Sequence, residues 1–157
     1  MAVIRFDVNT LRPTETGSAL GQIWLELGSR AIPSPRWDDF IVFILDWWRR
    51  GIQDILTGKQ MPTPFAFMEG QYEYSVARTD TGFVFRCAYQ QSEIYSLLED
   101  NAGMREFVNS YFAVVKEVLE RIEQDTQWRI TYLGSSETLD QIKAAQPHME
   151  MLLAAYK

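Results

Sequence analysis

Along this chain the hydrophobic period changes from about two to about 3.6, back to two, and again to 3.6, and each change demands a different backbone geometry. Ile4, Phe6 and Val8 alternate with Arg5 and Asp7, and Ile23, Leu25 and Leu27 alternate with Trp24 and Glu26, as half-buried strands require. Between them, Asn9 to Ser18 contains Pro13, Gly17 and several hydroxyl residues and reads as a mobile loop or long hairpin connection. Ser34-Pro35 then supplies a helix N-cap followed by proline at the first helical position, and Asp38 and Asp39 put negative charge in the first turn. Trp37, Phe40, Ile41, Ile44, Trp48, Ile52, Ile55 and Leu56 recur at helical spacing until Thr57-Gly58, which predicts a helix over 35–57. Phe43, Leu45 and Trp47 widen its apolar side, so it is expected to lie between a sheet and another helix.

Downstream, Phe65 to Met68 and Gln71 to Val76 flank a tight Glu69-Gly70 turn and read as a hairpin. Arg78 to Gly82 is a second turn, after which Phe83, Phe85, Cys87 and Tyr89 alternate with Val84, Arg86 and Ala88, so that three antiparallel strands form a meander. Ile94 to Leu98 shows neither period cleanly and is read as irregular. From Asn101, Met104, Phe107, Val108, Tyr111, Val115, Val118, Leu119 and Ile122 form one stripe of a second long helix. Trp128 to Leu133 suits a short strand or a helical segment, and Ser136 caps a last helix carrying Leu139 and Ile142 that Pro147 is expected to interrupt. The order predicts an α+β fold in which an antiparallel sheet of about five to six strands packs against two to three helices, as one domain over the 157 residues. A parallel nucleotide-binding sheet would need strict alternation of strands and helices, which is missing.

With 46% hydrophobic residues the chain can bury one sizeable core. Its net charge of -6 argues against the basic footprint of a nucleic-acid binder. The longest apolar run, Phe40 to Leu45, is far shorter than the roughly 20 residues of a membrane span. The single cysteine, Cys87, forms no internal disulfide, and Met1 to Asp7 reads as neither signal peptide nor lipid anchor. The expectation is therefore a cytoplasmic protein that engages neither nucleic acid nor membrane.

Known catalytic patterns fit poorly. Gly51 to Lys59 has its glycines too far apart for a phosphate-binding loop, and Lys59 is followed by Gln60 instead of Ser or Thr. Cys87 is in phase with Phe83, Phe85 and Tyr89, on the inward side of its strand, where a thiol packs and does not react. His148, the sole imidazole, has no local partners for a zinc site or a nucleophilic triad and is read as a surface or half-buried residue. Asp38, Asp39, Asp46 and Asp54 share one expected helix. Helix-start electrostatics accounts for the first two, and a surface pairing of Asp46 with Arg49 or Arg50 for the third. No catalytic residue, cofactor or metal is therefore assigned.

Charge is unevenly placed. Residues 1–62 hold seven cations and seven acids, whereas residues 63–157 hold eight and fourteen, so the second part carries all of the excess. In the hairpin region Glu69, Glu73, Asp80, Glu93, Glu99 and Asp100 face only Arg78 and Arg86. Tyr72 and Tyr74 share one strand face, with Gln71, Glu73 and Ser75 on the other. Glu69, Tyr72, Glu73, Tyr74, Asp80, Glu93, Glu99 and Asp100 are thus the candidate docking residues, acids steering and tyrosines anchoring.

Trp37-Asp38-Asp39-Phe40, Ile44-Leu45-Asp46-Trp47-Trp48, the helix end at Thr57-Gly58 and Phe65-Ala66-Phe67-Met68-Glu69-Gly70-Gln71-Tyr72 together form a layout that resembles small bacterial immunity proteins, including those of contact-dependent growth inhibition. The resemblance covers about residues 20–90. It implies a cytoplasmic, non-enzymatic protein that binds one cognate toxin domain, often a nuclease, and blocks its active site or substrate path. Two other readings stay open: a small hydrolase or ligand-binding enzyme using Asp38, Asp39 or Glu69 in an aromatic cleft, and an adaptor or secretion chaperone with an exposed apolar groove.

Overall fold

A computed structural model describes residues 1–59, 62–131 and 136–156. The fold is α+β, with two four-stranded antiparallel sheets where one larger sheet is expected from the sequence, and four helices. In the first sheet β2 (Ala19–Leu27) is central. It pairs along one edge with β1 (Ala2–Pro13) and along the other with the short strands β3 (Arg30–Ile32) and β4 (Asp38–Phe40). The second sheet is a meander of β5 (Thr63–Ala66), β6 (Tyr72–Thr79), β7 (Gly82–Tyr89) and β8 (Ser92–Glu99) in sequence order. Helices α1 (Ile41–Leu56) and α2 (Asn101–Gln124) pack on both sheets; α3 (Thr126–Thr131) abuts α2, and α4 (Ser136–Ala155) lies along α1.

The expected strands around Ile4 and Ile23 are present, with Ile23, Leu25 and Leu27 fully buried. The first half of the stretch read as a mobile loop is instead strand. β1 continues to Pro13 through an irregularity between Asp7 and Arg12, and the connection shrinks to a turn in which Thr14 N–H donates to Ser18 O at 2.8 Å. Thr10 makes the irregularity tolerable: its hydroxyl accepts from Gln22 N–H at 2.8 Å, replacing the missing ladder partner. The free edge of β1 is covered by α2, whose Ser110 hydroxyl accepts from Ile4 N–H at 2.9 Å.

The first helix begins at Ile41, six residues after Pro35. Asp38–Phe40 is extended because it pairs with Leu20–Gln22, and Ile23 N–H donates to Trp37 O at 2.7 Å. Strand pairing thus outcompetes the cap-and-proline signal, and neither Asp38 nor Asp39 sits in a helical first turn. Asp38 instead forms an ion pair with Arg12 at 2.5 Å. Over Ile41–Leu56 the expected stripe is buried, and α1 crosses β5 closely at Gly51, where a Cβ would come within 2.7 Å of the buried Phe65 ring. Asp46 pairs with both Arg49 (2.7 Å) and Arg50 (2.8 Å), yet its side chain is only 6% exposed, so this is a nearly buried carboxylate bridged by two cations and not a surface pair.

Ile94–Leu98, read as irregular, belongs to strand β8. The pairing steps from Cys87↔Tyr95 to Ala88↔Glu93, so a bulge at Ile94 resets the alternation and erases the period-two signal. The second helix matches its expected stripe and is capped by Asp100, whose Oδ1 accepts from Gly103 N–H at 2.8 Å. Thr126–Thr131 is helical, the second of the two alternatives, while Tyr132 and Leu133 lie outside the described residues. α4 runs on through Pro147 because Leu139, Ile142, Met149 and Leu153 are buried on both sides of it and packing against α1 outweighs one lost hydrogen bond. Buried residues from both sheets and from the helices form one contiguous core. Among the described residues no helix is long and apolar enough to cross a membrane.

Candidate functional site

Two connections at one end of the second sheet, residues 67–71 between β5 and β6 and Gln90–Gln91 between β7 and β8, border an open cleft of about 490 Å³. The first connection is tied to the other sheet by Asp39. This carboxylate is 0% exposed; Oδ2 accepts from Trp37 Nε1 (3.0 Å), Met68 N (3.1 Å) and Glu69 N (3.3 Å), and Oδ1 accepts from Phe40 N (2.8 Å). Burial pushes the carboxyl above its ordinary value while the four N–H donors pull it back, and burial prevails. Gly70, at φ +73°, sets the loop against Trp37, since a Cβ there would meet the indole at 3.2 Å. Trp37 in turn packs edge-on to Tyr72 (5.8 Å), and Tyr72 lies 4.7 Å from Tyr89.

The second connection is a two-residue hairpin turn in which Gln90 and Gln91 both have positive φ, 49° and 66°. Such turns favour Asn-Gly because Gly has no Cβ to clash in the left-handed backbone and the short Asn side chain hydrogen-bonds locally, whereas Gln does neither. Gln90 N–H donates to Gln71 O at 3.1 Å, which closes the two connections against each other. The cleft walls include Gln71, Tyr72, Glu73, Gln90 and Gln91, and Glu73 is the one charged residue among them.

The structure divides the expected docking residues between two places. Glu69, Glu73 and Glu93 are exposed at the cleft end, where Tyr72 is half-buried and Glu93 pairs with Arg86 at 3.6 Å. Asp80, Glu99 and Asp100 lie at the opposite end of the sheet, about 23 Å away along β6 by the rise of an extended chain. Two of these acids have structural partners: Asp100 caps α2, and Glu99 accepts an ion pair from the Met1 amino group at 2.6 Å. They are not parts of one patch with Glu69.

Tyr74 is corrected outright as a surface anchor. It is 0% exposed, stacked on Phe65 at 4.8 Å and ringed by Trp48, Phe67 and Phe107. It shares a face with Tyr72 as expected, but that face turns to the core at Tyr74 and reaches the sheet end only at Tyr72. Its hydroxyl has no hydrogen-bond partner among the described residues. Tyr74→Phe is therefore expected to leave stability unchanged or raise it by up to about 1 kcal/mol in urea denaturation, because a desolvated hydroxyl is removed without disturbing shape. A loss of more than about 1 kcal/mol would show that the hydroxyl is bonded.

Sequence reasoning missed Tyr89, Gln90 and Gln91. Tyr89 is 39% exposed and packs on Tyr72. The available signal was a Gln-Gln pair in a hairpin position that prefers Asn-Gly. Cys87 is buried as expected, with its thiol pushed up to about 12 by burial and then by Glu93. His148 is exposed. Among the described residues no three His, Cys, Asp or Glu side chains converge as a metal site would require. No family model matches the chain, and no curated protein or solved structure matches it either.

Proposed function

We propose that this protein acts by binding: it covers a basic surface of a partner protein, a toxin domain such as a nuclease, and neutralises it as the immunity proteins it resembles do. The observation that carries this reading is the acidic cleft end, where Glu73 is the one charged residue among the described residues of the wall, Glu69 stands on the tethered β5–β6 connection, and Glu93 stands at the start of β8 beside Arg86. Acids on such a scaffold accelerate encounter with a basic partner and fix its orientation, while preformed loops reduce the ordering cost of docking. The hydrolase alternative is weakened by the same geometry. Asp39 is sealed behind its four donors, and Asp38, though exposed, is engaged by Arg12.

This reading expects a secreted toxin to be encoded beside this gene, and the test is expression of that toxin's active domain in a bacterial host, with and without this chain. Growth is expected to be restored only with it, and the two purified proteins are expected to co-elute as a complex. Absence of protection together with absence of a complex would end this reading. In that complex, Glu69→Lys with Glu73→Lys is expected to slow association about tenfold or more at low salt with unchanged unfolding, whereas Asp80→Lys at the far end has little effect. Equal effects at the two ends, measured by stopped-flow, would contradict docking at the cleft.

A further inference from the structure

We propose that the cleft between the β5–β6 connection and the Gln90–Gln91 turn is a receptor for a single arginine side chain of the partner. This inference rests on the reading that the cleft end meets a basic protein, and it adds which group is recognised and how. The walls hold one carboxylate, Glu73, and three amide side chains, Gln71, Gln90 and Gln91, with Tyr72 beside them. Among the described residues that line the cleft none is a cation, and Arg86, which pairs with Ser75 two residues beyond Glu73, is engaged by Glu93 at 3.6 Å. The described walls offer an anionic ligand amide donors but no counter-charge. A guanidinium presents five in-plane donors, and a carboxylate with several amide oxygens offers the dispersed acceptors that such a group requires. A compact, strongly hydrated ammonium makes poorer use of them, and an aromatic neighbour favours the planar cation further.

The turn supplies the second argument. Two successive left-handed glutamines are kept where Asn-Gly would adopt the same backbone at lower cost, and both line the cleft. Strained backbone of this kind gathers at binding sites, and here it sets two amide side chains at the rim of a cleft.

The test is two-dimensional amide NMR of the intact chain titrated with N-acetyl-arginine methylamide, and separately with the lysine and glutamate counterparts. The arginine probe is expected to shift the Gln71, Glu73, Gln90 and Gln91 amides saturably in the millimolar range, the lysine probe several-fold more weakly, and the glutamate probe not at all. Glu73→Gln is expected to weaken the arginine response about tenfold, as loss of a charge-assisted pair does. Gln90→Asn with Gln91→Gly is expected to raise the unfolding midpoint by about 4 °C while weakening the arginine response. Arginine shifts scattered over Asp80 and α2, equal responses to lysine and arginine, or an unchanged response in the turn variant would each overturn the assignment. None of these results depends on growth protection, so a failed receptor and a failed neutralisation reading are told apart.

Discussion

Asp39→Ala is expected to cost about 3–5 kcal/mol of folding stability, because it strands three backbone N–H groups and an indole N–H inside the protein with no acceptor. The damage falls on function as well as on stability. Met68 and Glu69 lose their tether to the first sheet, so their amides are expected to exchange with solvent faster, and the loop bearing Glu69 and Gly70 loses its fixed position beside Trp37. Asp39→Asn keeps the shape but turns an amide N–H₂ toward donors, and is expected to cost less, about 1–3 kcal/mol. The pH dependence has a definite sign. The folded-state pKa of Asp39 lies above its ordinary value, so the stability this group contributes is fully present below the ordinary aspartate range and is lost as pH rises through the raised value. The advantage of the natural chain over Asp39→Asn in urea denaturation is therefore expected to be largest in acid and to shrink toward neutral pH. An advantage that grows with pH would mean the four donors outweigh burial.

Gly82→Ala is expected to be comparably severe, about 3 kcal/mol or more, by a different mechanism. Gly82 begins β7 at φ +156°, and a Cβ there would lie 2.1 Å from Glu99 O and 3.1 Å from Asp100 Cα. The obstacle is backbone at the junction where β8 hands over to the capped start of α2, so relief would require shifting the helix or opening the end of the β7–β8 ladder. Gly58→Ala is the matched control. It has φ +85° but nothing within 4 Å, so only the conformational penalty of about 1 kcal/mol is expected. Urea denaturation of the two variants separates close approach from backbone preference, and equal losses would refute the steric account.

The candidate site was half legible. Glu69, Tyr72, Glu73 and Glu93 were marked by charge and alternation and do gather at one end of a sheet, whereas Asp80, Glu99 and Asp100 carry the same sequence marks and lie elsewhere. Sequence neighbours two strands apart are placed by the direction of the meander, which composition does not encode. Tyr74 shows the same limit at the scale of one side chain. Alternation puts it on the face of Tyr72, but only the helix packed behind the sheet decides that this face is buried at Tyr74 and half-buried two residues earlier at Tyr72.

By itself the sequence determined the element types wherever one period ran unbroken: the strands around Ile23, Tyr74 and Phe85, the body of α1, and the whole of α2. These follow from local geometry, since a side chain's face depends only on its neighbours a few residues away. Tertiary structure alone decided the division into two sheets, the extended path of Asp38–Phe40, the bulged strands β1 and β8, and the passage of α4 through Pro147. In each of these a local signal of about 1 to 3 kcal/mol, a cap, a broken alternation or a proline, was outweighed by hydrogen bonds and buried area supplied from residues distant in the chain.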